Sequence, residues 1–178
     1  SGTNRVMYST DAINWTSALA ADQNQWHGVG YGDGKFVAVT SISGTNKAMY
    51  STDAINWTAL SVPESNNWKN VTYGNGKFVA VSYAASGTDS VMYSTVDGFT
   101  TKPLTLELGD SKTPPSSWST ASAAEANAWG NITYGNGKFV AVSGGGTNRV
   151  MYSTNGINWT SASAANNINW QDLTYGDG

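Results

Sequence analysis

The nine residues Tyr-Gly-Asn-Gly-Lys-Phe-Val-Ala-Val occupy positions 73–81 and recur unchanged at 134–142, with Tyr-Gly-Asp-Gly-Lys-Phe-Val-Ala-Val at 31–39 and a fourth start, Tyr-Gly-Asp-Gly, at 175–178. Such a chain must fold as a series of like units, each unable to bury its apolar faces alone. The tryptophans set the period. They form four pairs, Trp15 with Trp26, Trp57 with Trp68, Trp118 with Trp129 and Trp159 with Trp170, and the members of every pair lie 11 residues apart. From Trp26 to Trp68 is 42 residues and from Trp129 to Trp170 is 41, whereas Trp68 to Trp129 is 61, so that unit carries an insertion. The units are 1–25 (partial), 26–67, 68–128 with residues 96–117 inserted, 129–169, and 170–178 (partial).

Within a unit the pattern is β throughout. The stretches 68–74 and 76–82 flank a Gly-Asn-Gly expected to supply the positive φ angles of a hairpin turn. A third strand is expected at Asn-Arg-Val-Met-Tyr-Ser-Thr and a fourth at Ile-Asn-Trp-Thr-Ser-Ala-Ser. No stretch has helical periodicity beyond a turn or two. In the second strand Phe78 and Ala80 point one way and Val79 and Val81 the other, so both faces are apolar and both must be covered. Four short strands per 42 residues with two buried faces fit the blade of a β-propeller. A β-solenoid rung is about half as long, and an immunoglobulin-like sandwich would not repeat its sequence. The fold expected is all-β, a propeller or a segment of a larger one. The chain opens at a third strand and stops after a first, which we read as a window on a longer array.

Composition removes several classes of function. Charged residues are 12% of the chain, the net charge is −3 and the nine Lys and Arg are scattered singly, so no basic stripe exists to neutralise a nucleic-acid backbone. There is no cysteine, hence no disulfide framework or thiolate metal site. No apolar run approaches the length of a membrane span, so membrane insertion is not expected. The sequons at Asn14, Asn56, Asn70, Asn131 and Asn158 recur with the repeat and follow from its turn chemistry.

The segments Tyr-Ser-Thr-Asp-Ala-Ile-Asn-Trp-Thr at 8–16 and 50–58, and Tyr-Ser-Thr-Asn-Gly-Ile-Asn-Trp-Thr at 152–160, resemble the Asp-box, or BNR, repeat of sialidase-like β-propellers. The resemblance extends over all four units through Ser9 with Asp11, Ser51 with Asp53, Ser94 with Asp97 and Ser153 with Asn155. It implies a structural turn between third and fourth strands, where the carboxylate accepts backbone N–H bonds and the Trp packs beneath. Ala12 and Ala54 depart from the usual Gly, and Asn155 from the usual Asp.

Sialidases of that family use an arginine triad, yet this chain has only Arg5 and Arg149, at equivalent positions of different units. No carboxylate pair, nucleophile motif, phosphate loop or metal-ligand cluster stands out. We therefore expect no catalytic residues, metal or cofactor. His27 reads as a packing or surface residue, and Trp26, Trp68, Trp129 and Trp170 as core. Candidate binding residues are those that recur just before the second Trp: Asp22 with Asn24, Glu64 with Asn66, and Glu125 with Asn127, replaced by Asn166 and Ile168 in the last copy. They are expected on exposed loops of the face where the connections between second and third strands vary in length, as repeated weak sites for a glycan or a protein surface. The inserted residues 96–117 hold Leu104, Leu106 and Leu108 in an alternating run suited to an extra hairpin or to docking. The function expected is a non-enzymatic recognition or structural module of an extracellular, cell-surface or virion-associated protein, partnered by further blades or copies of itself. A sialidase-like hydrolase with its catalytic blades elsewhere and a subunit of a fibre or virion decoration are the alternatives.

Overall fold

The structure, a computed structural model, describes residues 4–42, 46–83, 89–95 and 117–176; Asp97 and the Leu104–Leu108 run lie outside them. No helix occurs among the described residues. A two-stranded sheet of β1 (Asn4–Tyr8) and β2 (Thr16–Leu19) comes first. Three four-stranded sheets follow: β3 (Trp26–Gly32), β4 (Lys35–Thr40), β5 (Ala48–Ser51) and β6 (Thr58–Leu60); β7 (Trp68–Gly74), β8 (Lys77–Ser82), β9 (Val91–Thr95) and β10 (Ser117–Ala121); β11 (Trp129–Gly135), β12 (Lys138–Ser143), β13 (Val150–Ser153) and β14 (Thr160–Ala162). In each sheet strands that follow one another in sequence pair antiparallel, the meander of a propeller blade.

The tight hairpins are made by two residues, not three. Asp33 and Gly34, Asn75 and Gly76, and Asn136 and Gly137 take φ between 45° and 74°, the pair of positive angles that matches strand twist. The preceding glycine has another use. A Cβ on Gly32 would lie 2.0 Å from the ring of Tyr73, one on Gly74 2.2 Å from that of Tyr134, and one on Gly135 2.0 Å from that of Tyr175. Each glycine is thus the seat for the tyrosine of the next unit. First strands stack side by side, β3 against β7 and β7 against β11. Along them Asn70 donates its amide to Asn131, and Asn131 donates its own to Asp172. Residues 170–176 are not in a regular strand, yet Asp172 and Tyr175 meet the third blade as a first strand would.

The two faces of the repeated second strand divide as expected. Phe78 and Ala80 join Trp68, Val71, Met92 and Trp118 against Val37, Val39, Ala48 and Leu60 of the preceding blade. Val79 and Val81 join Val91 and Ala121 against Trp129, Ile132, Phe139, Ala141 and Met151 of the following one. Each fully buried Val or Met contributes about 1.5–3 kcal/mol by leaving water, so the interfaces between blades are the core.

The fourth strand starts later than its sequence suggests, at Thr58 and Thr160 in the second and fourth units, because Ile and Asn before the Trp belong to the turn. Asp53 Oδ1 accepts the N–H groups of Ile55 (2.9 Å) and Asn56 (2.8 Å) and the Ser51 hydroxyl (2.9 Å), while Oδ2 accepts the Asn56 amide (2.8 Å). Asp11 repeats this set with Ile13, Asn14 and Ser9. The N–H bonds, that of Asn14 first for Asp11 and that of Asn56 first for Asp53, hold both carboxyls far below the ordinary range. Asn155 Oδ1 takes the same N–H bonds from Ile157 and Asn158 at 2.9 Å without a charge. Ala12 and Ala54 sit at φ 60° and 61°, where Gly156 sits at 73°: the turn imposes the left-handed angle even on alanine. In the inserted unit the Ser94 hydroxyl accepts the Phe78 N–H (2.9 Å).

Candidate functional site

The face of interest carries the connections between second and third strands and the loops that enter each first strand. Asn24, Asn66 and Asn127 do not stand free on it. Each side-chain amide donates to a backbone carbonyl in the second-to-third connection of the blade its loop enters: Asn24 to Asn46 (2.7 Å), Asn66 to Asp89 (2.5 Å) and Asn127 to Asn148 (2.5 Å). Asn24 and Asn127 are buried, correcting the expectation of exposed loop amides; the loop closes over its tether because the carbonyl it satisfies lies beneath. The acids are also engaged. Asp22 accepts the Gln23 N–H (2.6 Å) and the Asn46 amide (3.2 Å). Glu125 accepts the side-chain amide and N–H of Asn148 at 2.5 and 3.1 Å, which push its carboxyl below the usual range. Glu64 is exposed, and its carbonyl receives the Trp68 indole (3.1 Å). Each of these bonds stays within the loop that enters a blade or ties that loop to the blade it enters.

Trp68 and Trp129 are wholly buried, as core residues should be, whereas Trp26 and Trp170 are half-buried. Glu125 and Asn166 take the indoles of Trp129 and Trp170 as Glu64 takes that of Trp68, but the Trp26 indole N–H has no partner. Arg149 donates to the carbonyls of Ile168 (2.6 Å) and Gly144 (3.3 Å), supplying from just ahead of β13 the tether that Ile168 cannot make.

His27, read from the sequence as a packing or surface residue, and its counterparts Lys69 and Gly130 each follow one of these tryptophans. The β3–β4, β7–β8 and β11–β12 registers all slip there, so His27, Lys69 and Gly130 are bulge residues released from the ladder. Lys69 reaches across to the Ser41 hydroxyl of the preceding blade (3.3 Å). Desolvation, then the Lys69 charge, lower the pKa of His27. Between the second and third four-stranded blades a cavity of about 320 Å³ opens, lined by Lys69, Tyr83, Ala128, Gly130, Gly144, Asn169, Trp170 and Gln171. Lys69, a half-exposed phenol, an indole and two amides line it, and no carboxylate does among the described residues. Such a lining can bind an anionic or amide-bearing group against an aromatic wall; it offers no general base. No group of three or more His, Cys, Asp or Glu residues able to hold a metal occurs among the described residues.

The geometry is that of a β-propeller built from closely similar blades. A solved structure described as YCF48 bound to D1 peptide, itself a β-propeller, is similar to this chain at 15% identity with a TM-score of 0.52. The match covers 84% of this chain and 43% of that one, so this chain spans less than half the length of its structural neighbour. No protein-family model matches the sequence, and no curated protein does. Among the described residues no helix is long and apolar enough to cross a membrane.

Proposed function

We propose that this chain is a non-enzymatic recognition module of an extracellular, cell-surface or virion-associated protein, and that it binds an extended, carboxylate-bearing protein segment at the cavity beside Lys69. The observation that carries the reading is the lining itself: Lys69 among Tyr83, Trp170, Asn169 and Gln171, with no opposing acid among the described residues. A ligand carboxylate gains a charge-assisted bond there, and its backbone amides meet side chains of matching chemistry. The peptide in the structural neighbour's description supports a protein ligand. The Ser-x-Asp turns support kinship with Asp-box propellers, in which such turns are structural. Absence of catalysis is supported by what the candidate groups do: Glu125 and Asp22 are held by amides, and Arg149 by carbonyls.

Binding to arrays of acidic peptides, their amidated counterparts and glycans tests this. Acidic peptides should be retained, and Lys69→Ala and Tyr83→Ala should each weaken binding by about tenfold, the loss of one charge-assisted or aromatic contact. Retention unchanged by both substitutions, or a preference for glycans, would refute the reading.

A further inference from the structure

The outer side of the β3–β6 blade repeats a surface that is covered in the other two blades. Val71 and Ile132 are each 3% exposed, but the equivalent Val29 is 61% exposed, and Phe36 and Trp26 are half-buried where Phe139 and Trp129 are wholly buried. The difference lies in the preceding unit. Val37 and Val39 of β4 cover the second blade and Val79 and Val81 of β8 cover the third, whereas β1 and β2 form a sheet of two strands. The third strands β5, β9 and β13 pair along both edges, while among the described residues β1 pairs only with β2. Between β1 and the blade lies a groove of about 420 Å³, walled by Val6 and Tyr8 on one side and Trp26, Val29, Phe36 and Trp57 on the other.

We propose that this groove is a strand-accepting site, and that its occupant is an extended Phe-x-Ala-Val strand of a further repeat unit, added antiparallel to the free edge of β1. The interfaces already present set the register. In the first blade Phe36 lies opposite Ser51, Val37 opposite Tyr50, Ala38 opposite Met49 and Val39 opposite Ala48. One period earlier the partners are Ser9, Tyr8, Met7 and Val6. The groove also sets a size limit. A Cβ on Gly156 would lie 2.7 Å from Cγ2 of Val79, the residue that follows Phe in the covering strand, and Ala54, which lines the groove, occupies the position of Gly156. The occupant's residue after Phe must therefore be smaller than valine, or turn its methyl aside.

Two experiments test the proposal. A synthetic peptide of residues 76–82 and its Val79→Ala form are added to the intact chain, followed by tryptophan fluorescence and amide exchange. Saturable binding is expected, tighter for the Val79→Ala peptide, with exchange of the edge amides of β1 slowed roughly tenfold or more. A Val81→Asp peptide should not bind. In the second experiment residues 129–144, carrying Val140→Ala, are placed ahead of Ser1, which restores the loop length found between 142 and 150. This extended chain should melt higher and protect β1 without added peptide. Unchanged melting together with unprotected β1 amides would overturn the proposal. Concentration-dependent dimerisation that protects β1 with no peptide present would also overturn it, by making a second copy the occupant.

Discussion

Replacing Gly74 by alanine puts one methyl group where the seating of one blade on the next leaves no room. The new Cβ would lie 2.2 Å from Cγ of Tyr134 and 2.4 and 2.6 Å from its Cδ atoms. The ring cannot swing away without leaving Phe139, whose centroid is 4.6 Å distant. Overpacking of this kind costs about 1–3 kcal/mol, and partial loss of the aromatic pair adds about 0.5–1.5 kcal/mol, so Gly74→Ala should destabilise the chain by roughly 2–4 kcal/mol. At about 2–4 °C per kcal/mol for a domain of this size, Tm should fall by roughly 4–16 °C in calorimetry or circular dichroism. The control is Gly176→Ala, in the same Tyr-Gly context but with nothing within 4 Å, which should move Tm by about 1 °C at most. Adding Tyr134→Ala to Gly74→Ala should return about 1 kcal/mol or more as a coupling energy. If Gly74→Ala and Gly176→Ala melt alike, Tyr134 does not sit on Gly74 and the stacking is wrong.

Other outcomes follow from single contacts. Ala54 holds a left-handed φ of 61°, so Ala54→Gly should stabilise by about 1 kcal/mol, and Gly156→Ala should cost more than that gain because it also meets Val79; denaturant titration separates the two. Because the carboxyl pKa values of Asp11 and Asp53 are depressed on folding, their contribution is complete above the unfolded value of 3.8 and is lost as pH falls below it. Asp53→Asn should therefore lose less stability than the parent between about pH 5 and about pH 2, as measured by melts across that range. Asn127→Ala removes a buried amide bonded to the Asn148 carbonyl and should cost about 1–3 kcal/mol, whereas exposed Glu64→Gln should change stability by less than about 0.5 kcal/mol.

What the sequence could reveal depended on whether a feature belongs to one unit or to two. The period, the strands and the opposite faces of Phe78 and Val79 follow from alternation inside a unit, and the structure reproduces them. The Ser-x-Asp turns at Asp11 and Asp53 are equally local. The role of Gly74 was hidden because its reason is a tyrosine 60 positions later. Asn24 and Asn127 read as loop amides, since an amide that tethers a carbonyl and one that awaits a ligand look the same in sequence; burial alone separates them. The bulge residues His27 and Lys69 become visible only when first and second strands are set in register. The fourth strand's late start follows from the Asp and Asn side chains, whose bonds draw Ile and Asn into the turn.

The loop face and the groove both arise from like units stacked through their first strands. Nuclear Overhauser contacts between the ring protons of Tyr73, Tyr134 and Tyr175 and the α-protons of Gly32, Gly74 and Gly135 measure that stacking most directly, because no single unit contains both members of any pair. Three strong cross-unit contacts, with the glycine α-protons shifted upfield by the rings, are the expected result. Tyrosine contacts confined to Phe36, Phe78 and Phe139 of the same hairpins would contradict it.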